Sequence, residues 1–68
     1  MLTNLRIERL RAGLRQVDLA EKVRLPQHRI SLIERGVAPM QNEAKVLATA
    51  LGVSVESLFP EYGSASQL

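Results

Sequence analysis

Residues 25–36 read LPQHRISLIERG, a stretch that predicts a short helix with two different sides. At about 100° per residue, Ile30, Ile33 and Glu34 fall on one side of that helix, which we expect to face the interior. The opposite flank carries mostly hydrogen-bonding side chains, namely His28, Ser31, Leu32 and Arg35, and Gln27 lies at the N-terminal end of the helix, where its side chain can reach forward. A helix that only fills a core does not need such a flank, so we expect it to contact a partner.

The outward flank fits the edges of base pairs in the major groove of DNA. A glutamine can pair with adenine, a histidine or arginine can donate to guanine, and a leucine can contact the methyl group of thymine. A plain solvated surface would carry similar side chains, so the flank alone leaves both interpretations open. No metal site is expected at His28, because the chain has one histidine and no cysteine, and a base or phosphate contact is favoured over a pH switch.

Helix signals continue on both sides of this stretch, whereas no segment shows the alternation of a strand. The expected helices are helix 1 from an N-cap at Thr3 to Gly13, helix 2 from Gln16 to Val23, helix 3 from Pro26 to Gly36, helix 4 from Gln41 to Leu51, and helix 5 from an N-cap at Ser54 to Pro60. Helices 2 and 3 are joined by only about two or three residues, which is the spacing of a helix-turn-helix. The predicted fold class is all-α, with one domain over residues 1–60 and a polar tail over residues 61–68.

Apolar residues recur at helical spacing and predict the buried side of each helix. Leu2, before helix 1, is expected to contact Ile7 as a hydrophobic staple. The predicted buried residues are Ile7, Leu10 and Leu14 in or after helix 1, Leu19, Ala20 and Val23 in helix 2, and Ala44, Leu47, Ala48 and Leu51 in helix 4. The core is expected to be aliphatic, because only 3% of the residues are aromatic.

Length and composition exclude several classes of protein. A chain of 68 residues without cysteine builds one small domain that has no disulfide and no thiolate metal site. No apolar run is long enough to span a membrane, and the N-terminus lacks the apolar region of a signal peptide, so we expect a cytoplasmic protein. Paired carboxylates around a pocket and phosphate-binding glycine motifs are missing, so we expect neither an enzyme nor a cofactor nor a small-molecule ligand.

Charge is distributed unevenly along the chain, whose formal net charge is +2. Residues 1–35 hold eight of the nine Lys and Arg residues and a net charge of +4, while residues 36–68 have a net charge of −2. A basic first half rich in arginine points to a polyanionic partner, although ordinary surface charge would look the same.

The stretch from Leu5 to Phe59 resembles the Cro and phage-repressor family of helix-turn-helix proteins, also called Xre-type. The matching pieces are, in order, RAGLRQ, DLAEKV, ISLIERG and ATALGVSVESLF, and both their order and their spacing agree with the family. The resemblance implies a compact five-helix lambda-repressor-like domain that binds double-stranded DNA. Four positions depart from it. Arg24 stands where the family usually has glycine, Pro26 stands where it usually has Ser or Thr, and Val37 and Ala38 stand where many relatives carry Lys or Arg.

The resemblance also implies contacts within the domain and with bases. The positions that match base-contacting residues of the family are Gln27, His28, Ser31 and Leu32. Arg9 and Glu34 match a pair that forms a salt bridge between helices 1 and 3, which agrees with the inward position of Glu34 on its helix. A phosphate contact or a free surface arginine is the alternative for Arg9.

Four residues are expected to contact DNA phosphates. Gln16 and Arg35 match positions that do so in the family. Arg15 is a poor N-cap for helix 2, and a cation at the positive end of a helix is easier to understand with a phosphate beside it. Arg29, on helix 3, is assigned to the same group.

The predicted function is sequence-specific DNA binding by a small transcriptional regulator, a repressor, that places helix 3 in the major groove. Useful specificity requires two copies on a two-fold symmetric site, so we expect a homodimer. Its interface is expected in the C-terminal half, although the same residues could simply complete the core: Val55, Leu58, Phe59 and Tyr62. The alternative function is a protein-interaction module or antitoxin on the same scaffold, because a fold does not determine a function.

Overall fold

The computed structural model describes residues 3–61, which form five α-helices and no β-strand. The helices are α1 (Asn4–Arg11), α2 (Gln16–Val23), α3 (Gln27–Glu34), α4 (Gln41–Leu51) and α5 (Val55–Leu58). The predicted all-α fold class is confirmed, and α2 and α3 form the helix-turn-helix. Leu2, expected in the hydrophobic staple, and the tail from residue 62 onward lie outside the described residues.

Local caps determine where several helices begin and end. The hydroxyl oxygens of Thr3 and Ser54 each accept a hydrogen bond from the backbone N–H three residues later, at 3.3 and 3.0 Å. After α1, Gly13 has a φ of +74°, and the Leu14 N–H donates to the Arg9 carbonyl oxygen at 3.1 Å. This closure is the left-handed helix end that the sequence predicts at Gly13.

One aliphatic core holds the helices together, since α2 packs on α3 and α4 while α1 packs on α3 and α5. Its buried apolar residues are Leu5, Leu19, Ala20, Ile30, Ile33, Ala44, Leu47, Ala48, Leu58 and Phe59. The predicted buried sides of α2 and α4 are confirmed, except that Val23 and Leu51 are half-buried against this core.

The buried side of α1 differs from the predicted one. Leu10 is 54% exposed, whereas Leu5 and Arg9, four residues apart, are both buried. The helix turns this side inward because Arg9 reaches a carboxylate on α3, described below, and Leu10 then points to solvent. The prediction of a buried Leu10 is therefore wrong.

The turn between α2 and α3 is built around Arg24, which has a left-handed backbone at φ +61° and ψ +41°. The Leu25 N–H closes the turn by donating to the Ala20 carbonyl oxygen at 3.0 Å. Pro26 follows with φ −63° and ψ +145°, and it is the N-cap of α3. The sequence predicts it as the first helical residue, so the helix begins one residue later than predicted. A proline side chain accepts no hydrogen bond, and the first N–H groups of α3 therefore have no side-chain cap.

The helix α3 also ends earlier than predicted. Glu34 is its last residue, and Arg35 forms the C-cap at φ −92° and ψ +4°. Gly36 follows at φ +109°, a conformation that favours glycine, and its N–H donates to the Ile33 carbonyl oxygen at 3.0 Å. The chain therefore turns away from the axis of α3 directly after the residues that are predicted to contact DNA.

Candidate nucleic-acid interface

The helix α3 presents two sides of different character, in agreement with its sequence. Ile30 and Ile33 are 0% and 3% exposed, and they anchor the helix in the core. Gln27 and His28, at the start of the helix, and Arg35, directly after it, are exposed. The side with these hydrogen-bonding groups is therefore open to a partner.

Ser31 and Leu32 lie on the same flank of α3 but are half-buried. The sequence predicts an exposed Leu32, and the structure corrects this prediction. The Val37 N–H donates to the Leu32 carbonyl oxygen at 3.0 Å, which brings the loop after α3 back beside this residue. Leu32 consequently offers less apolar surface to a thymine methyl than an exposed leucine would.

A buried ion pair between Arg9 on α1 and Glu34 on α3 fixes the inner side of the helix. The Nε and Nη2 atoms of Arg9 donate to the two carboxylate oxygens of Glu34, at 2.5 and 3.2 Å. Arg9 Nη1 donates to the Leu14 carbonyl oxygen at 2.8 Å. The two parallel hydrogen bonds of such a pair fix its geometry as well as its charge, so α1 sets the orientation of α3 from within.

Gln16, the first residue of α2, joins the same cluster. Its Nε2 atom donates to Glu34 Oε1 at 3.1 Å, and the side chain is half-buried. A glutamine amide carries two N–H groups, so one donor is left for the phosphate contact predicted at this position. The carboxylate of Glu34, at the end of α3, thereby connects the last turn of α1 with the start of α2.

Arg29 has a different role from the phosphate contact predicted for it. Its Nε and Nη2 atoms donate to the carboxylate oxygens of Glu43 on α4, at 2.9 and 2.6 Å. Hydrogen bonding to Arg29, with a smaller contribution from the Met40 N–H, lowers the pKa of Glu43. Glu43 is 2% exposed, and a buried carboxylate needs such a partner. Arg29 is therefore a structural residue that ties α3 to α4.

Arg15 is the N-cap residue of α2, but its side chain does not cap the helix. A guanidinium has only donors, so it cannot accept a hydrogen bond from the first backbone N–H groups. Asp18 accepts hydrogen bonds from the Arg15 backbone N–H at 2.9 Å and from its guanidinium at 2.9 and 3.0 Å. These bonds lower the pKa of Asp18 to about 2 and raise the pKa of Arg15. The side chain of Arg15 is still 79% exposed, which leaves it accessible for the predicted phosphate contact.

A family model described as helix-turn-helix matches residues 5–58, which include all five helices except the first residue of α1. The chain belongs to this family of Xre- and Cro-like helix-turn-helix proteins. No curated protein and no solved structure matches the chain. Membership of the family indicates a DNA-binding helix-turn-helix regulator with DNA as its partner, and the family is typically non-enzymatic.

In this helix-turn-helix protein, two of the residues predicted for a dimer interface lie in the core. Leu58 is 2% exposed and Phe59 is 7% exposed, because α5 packs on α1 and α4. Their burial agrees with the alternative that the sequence left open, in which they complete the core. Val55 is half-buried at the start of α5, and Tyr62 lies outside the described residues.

The pairing of Arg29 with Glu43 was not predicted, although the helical register contains a signal for it. Glu43 lies four residues before the buried Leu47 and directly before the buried Ala44, which places it on the inner side of α4. Arg29 lies four residues before the buried Ile33 and borders the inner side of α3. A carboxylate on the inner side of one helix and a cation at the border of the inner side of a neighbouring helix together predict an ion pair.

No group of His, Asp and Glu side chains among residues 3–61 is arranged to hold a metal ion. Every buried side-chain nitrogen and oxygen atom in that range has a hydrogen-bond partner, so no orphaned polar group marks a further ligand site there. Crossing a bilayer would require a longer and more apolar helix than any found in the described part of the chain.

Proposed function

We propose that this helix-turn-helix protein is a small transcriptional regulator, a repressor, that binds double-stranded DNA sequence-specifically by placing α3 in the major groove. The observation that supports the proposal best is the exposure of Gln27 and His28 at the start of α3, while Ile30 and Ile33 of the same helix are buried. The N-terminal residues of a recognition helix are the ones that reach base edges. A protein docked there blocks the same groove for other proteins, which is the basis of repression.

Phosphate contacts would hold the helix in register on the duplex. Gln16 has a second N–H at the start of α2, and the first N–H groups of that helix carry no side-chain cap. These groups and the positive end of the helix dipole suit a phosphate oxygen. Arg35, exposed after α3, and Arg15 would add two charged contacts. Contacts of this kind position the protein and carry no sequence information.

We further propose that the protein acts as a homodimer on a two-fold symmetric site. One α3 reaches only a few base pairs, and two copies on half-sites about one helical turn apart, roughly 34 Å, supply useful specificity. Since Leu58 and Phe59 are buried in the single chain, the interface would use other parts of the surface, such as that around Val55.

Selection of bound sequences from a pool of random duplexes tests the function directly. The expected result is a consensus with two-fold symmetry and affinity that falls steeply with salt, because phosphate contacts release counterions. Recovery of sequences without a consensus would contradict specific binding and favour a protein-interaction module on the same scaffold. A consensus without two-fold symmetry would contradict the proposed homodimer but not sequence-specific binding.

Single substitutions on α3 separate base contacts from phosphate contacts. Gln27→Ala and His28→Ala are each expected to relax one position of the consensus at a cost of about 1–3 kcal/mol, whereas Arg35→Ala weakens all sequences alike. Lys45→Ala, which removes an exposed cation from α4, is the matched control and should leave both consensus and affinity unchanged. Affinity for specific and random duplexes, measured by fluorescence anisotropy, distinguishes the two classes.

A further inference from the structure

An open groove of about 560 Å³ lies between the C-terminal end of α2 and the outer side of α4. Three cations lie along it: Lys22 and Arg24 at the end of α2, and Lys45 on α4. None of the described residues that line the groove belongs to α3, so it is separate from the proposed DNA-contacting flank.

The three cations of the groove have no acidic partner within residues 3–61. Among residues 3–61, which include all nine Lys and Arg residues, four of these cations form ion pairs with carboxylates, and none of the four lines the groove: Arg9, Arg11, Arg15 and Arg29. Lys22, Arg24 and Lys45 are exposed and form none of these pairs. The groove therefore concentrates positive charge that the described part of the protein does not neutralise.

The floor of the groove is apolar. Val23 and Ala50 are half-buried there, and Val46 is 40% exposed. A surface that only follows phosphates needs cations and hydrogen-bond donors, and it gains nothing from an aliphatic floor. Cations around an aliphatic floor suit a partner that carries both carboxylates and apolar side chains.

The backbone of Arg24 adds an independent indication. Its φ of +61° lies in the left-handed region, where a side chain with a β-carbon is disfavoured and glycine is not. Strained backbone of this kind clusters at functional positions and persists where the surrounding structure imposes it. Nothing among the described residues forms a salt bridge with the Arg24 guanidinium, which is therefore available to a partner.

We propose that this groove docks an acidic, amphipathic segment of a partner protein. Carboxylates of the segment would lie beside Lys22, Arg24 and Lys45, and its apolar side chains would cover Val23 and Val46. The groove is too open to enclose a small molecule, but it can receive one side of a helix or an extended strand.

Selection from a displayed library of random peptides of about 14 residues, roughly 20 Å long as a helix, tests the proposal with the whole chain as bait. The enriched peptides are expected to combine Asp or Glu with Leu, Ile or Phe. A labelled enriched peptide should lose at least about tenfold in affinity for the Lys45→Glu variant, because a like charge then faces its carboxylates. Arg6→Glu, at an exposed cation outside the groove, is the matched control and should bind almost as the unchanged protein does.

Two further substitutions test the contribution of the apolar floor to peptide binding. Val46→Ser removes apolar surface from the groove, whereas Val37→Ser removes it at a valine of similar exposure, 43% against 40%, outside the groove. Only Val46→Ser is expected to weaken the peptide. Both positions are exposed, so thermal unfolding followed by circular dichroism should show that each variant still folds.

Four results would overturn the proposal. Enriched peptides without an acidic bias, or peptides that bind the Lys45→Glu variant as well as the unchanged protein, would show that the cations do not recognise the partner. A loss of DNA affinity in Lys45→Glu as large as in Arg35→Ala would make the groove a phosphate surface. A dimer in sedimentation that Lys45→Glu dissociates would make a second copy the occupant. The DNA selection is a separate measurement, so failure of this proposal and failure of DNA recognition are distinguishable.

Discussion

Glu34 is the residue that most directly couples the interior to the proposed DNA-contacting flank. Its two carboxylate oxygens accept hydrogen bonds from Arg9 and Gln16, which belong to α1 and α2. A carboxylate that is 4% exposed is tolerated only because these donors replace water. Since Glu34 is the last residue of α3, the cluster holds the helix at its C-terminal end while Ile30 holds it in the middle.

Removal of this carboxylate is expected to destabilise the domain strongly. Glu34→Ala leaves Arg9 buried without its partner, and breaking a buried pair from one side costs about 3–5 kcal/mol. Glu8→Ala breaks the ion pair with Arg11, whose side chain is 73% exposed, and should cost less than about 1 kcal/mol. Urea unfolding followed by circular dichroism measures both changes. Equal effects of the two substitutions would contradict the role assigned to Glu34.

The paired carboxylates also predict how stability depends on pH. Hydrogen bonds from Arg15 lower the pKa of Asp18 to about 2, and those from Arg29 lower the pKa of Glu43. Both groups bind protons more readily in the unfolded chain, so their stabilising contribution is present above the unfolded pKa values near 4 and is lost as the pH falls. The free energy of unfolding should be level above about pH 5 and decline from about pH 4 toward pH 2.

Urea unfolding at a series of pH values checks this prediction. Asp18→Asn should flatten part of the decline, because that position then no longer takes up a proton on unfolding. Glu56→Gln, at an exposed carboxylate outside the ion pairs of the described residues, is the matched control and should keep the full decline. A decline of the same depth in Asp18→Asn would show that the pairing with Arg15 contributes nothing.

Among the elements, the short turn between α2 and α3 sets the angle at which α3 is presented. The turn consists of Arg24, Leu25 and Pro26, and it closes through the hydrogen bond from Leu25 to the Ala20 carbonyl oxygen. A left-handed residue at Arg24 ends α2 and reverses the chain within this short distance. The backbone conformation of Arg24 is one that glycine adopts readily, although the residue carries a long side chain.

Arg24→Gly is expected to stabilise the domain by about 0.5–1 kcal/mol, because relief of the left-handed strain exceeds the extra freedom of glycine in the unfolded chain. Lys22→Gly, two residues earlier and inside α2, is the matched control and should destabilise by about 1 kcal/mol. Thermal and urea unfolding of the three proteins give the comparison. A destabilised Arg24→Gly variant would mean that the arginine side chain contributes more to the fold than its backbone strain removes.

At the scale of the whole molecule, the proposed dimer makes the spacing of two half-sites a geometric requirement. Two rigidly joined copies can place both α3 helices in the same face of a duplex only if the half-sites are about one helical turn apart. Moving one half-site by about half a turn, roughly 5 base pairs, carries it to the opposite face. The stability of each copy then does not change, but the two helices can no longer dock together.

Duplexes with altered spacing test this requirement once a consensus is known. Insertion of about 5 base pairs between the half-sites should reduce affinity to that of a single half-site, whereas insertion of about 10 should restore a part of it if the interface bends. Gel-shift titrations, with the number of bound copies taken from sedimentation, provide the measurement. Equal affinity at every spacing would indicate independent monomers.

The sequence by itself was sufficient for the five helices and for the side of α3 that faces inward. Thr3, Gly13, Gly52 and Ser54 mark helix ends through interactions that span only a few residues. The spacing of Ile30 and Ile33 determines the buried side of their helix in the same local way. Features of this kind depend on neighbours in the chain, and they can therefore be read before the fold is known.

Which charged groups meet depends on the packing of helices that are distant in the chain. Arg29 and Arg35 are both phosphate contacts in the sequence-based prediction, yet Arg29 pairs with Glu43 while Arg35 is exposed. Leu58 is buried and Leu10 is exposed, although both are leucines on short helices. These outcomes depend on how helices distant in the chain pack on each other, because a long side chain can reach several partners and the packing determines which of them lies within hydrogen-bond distance.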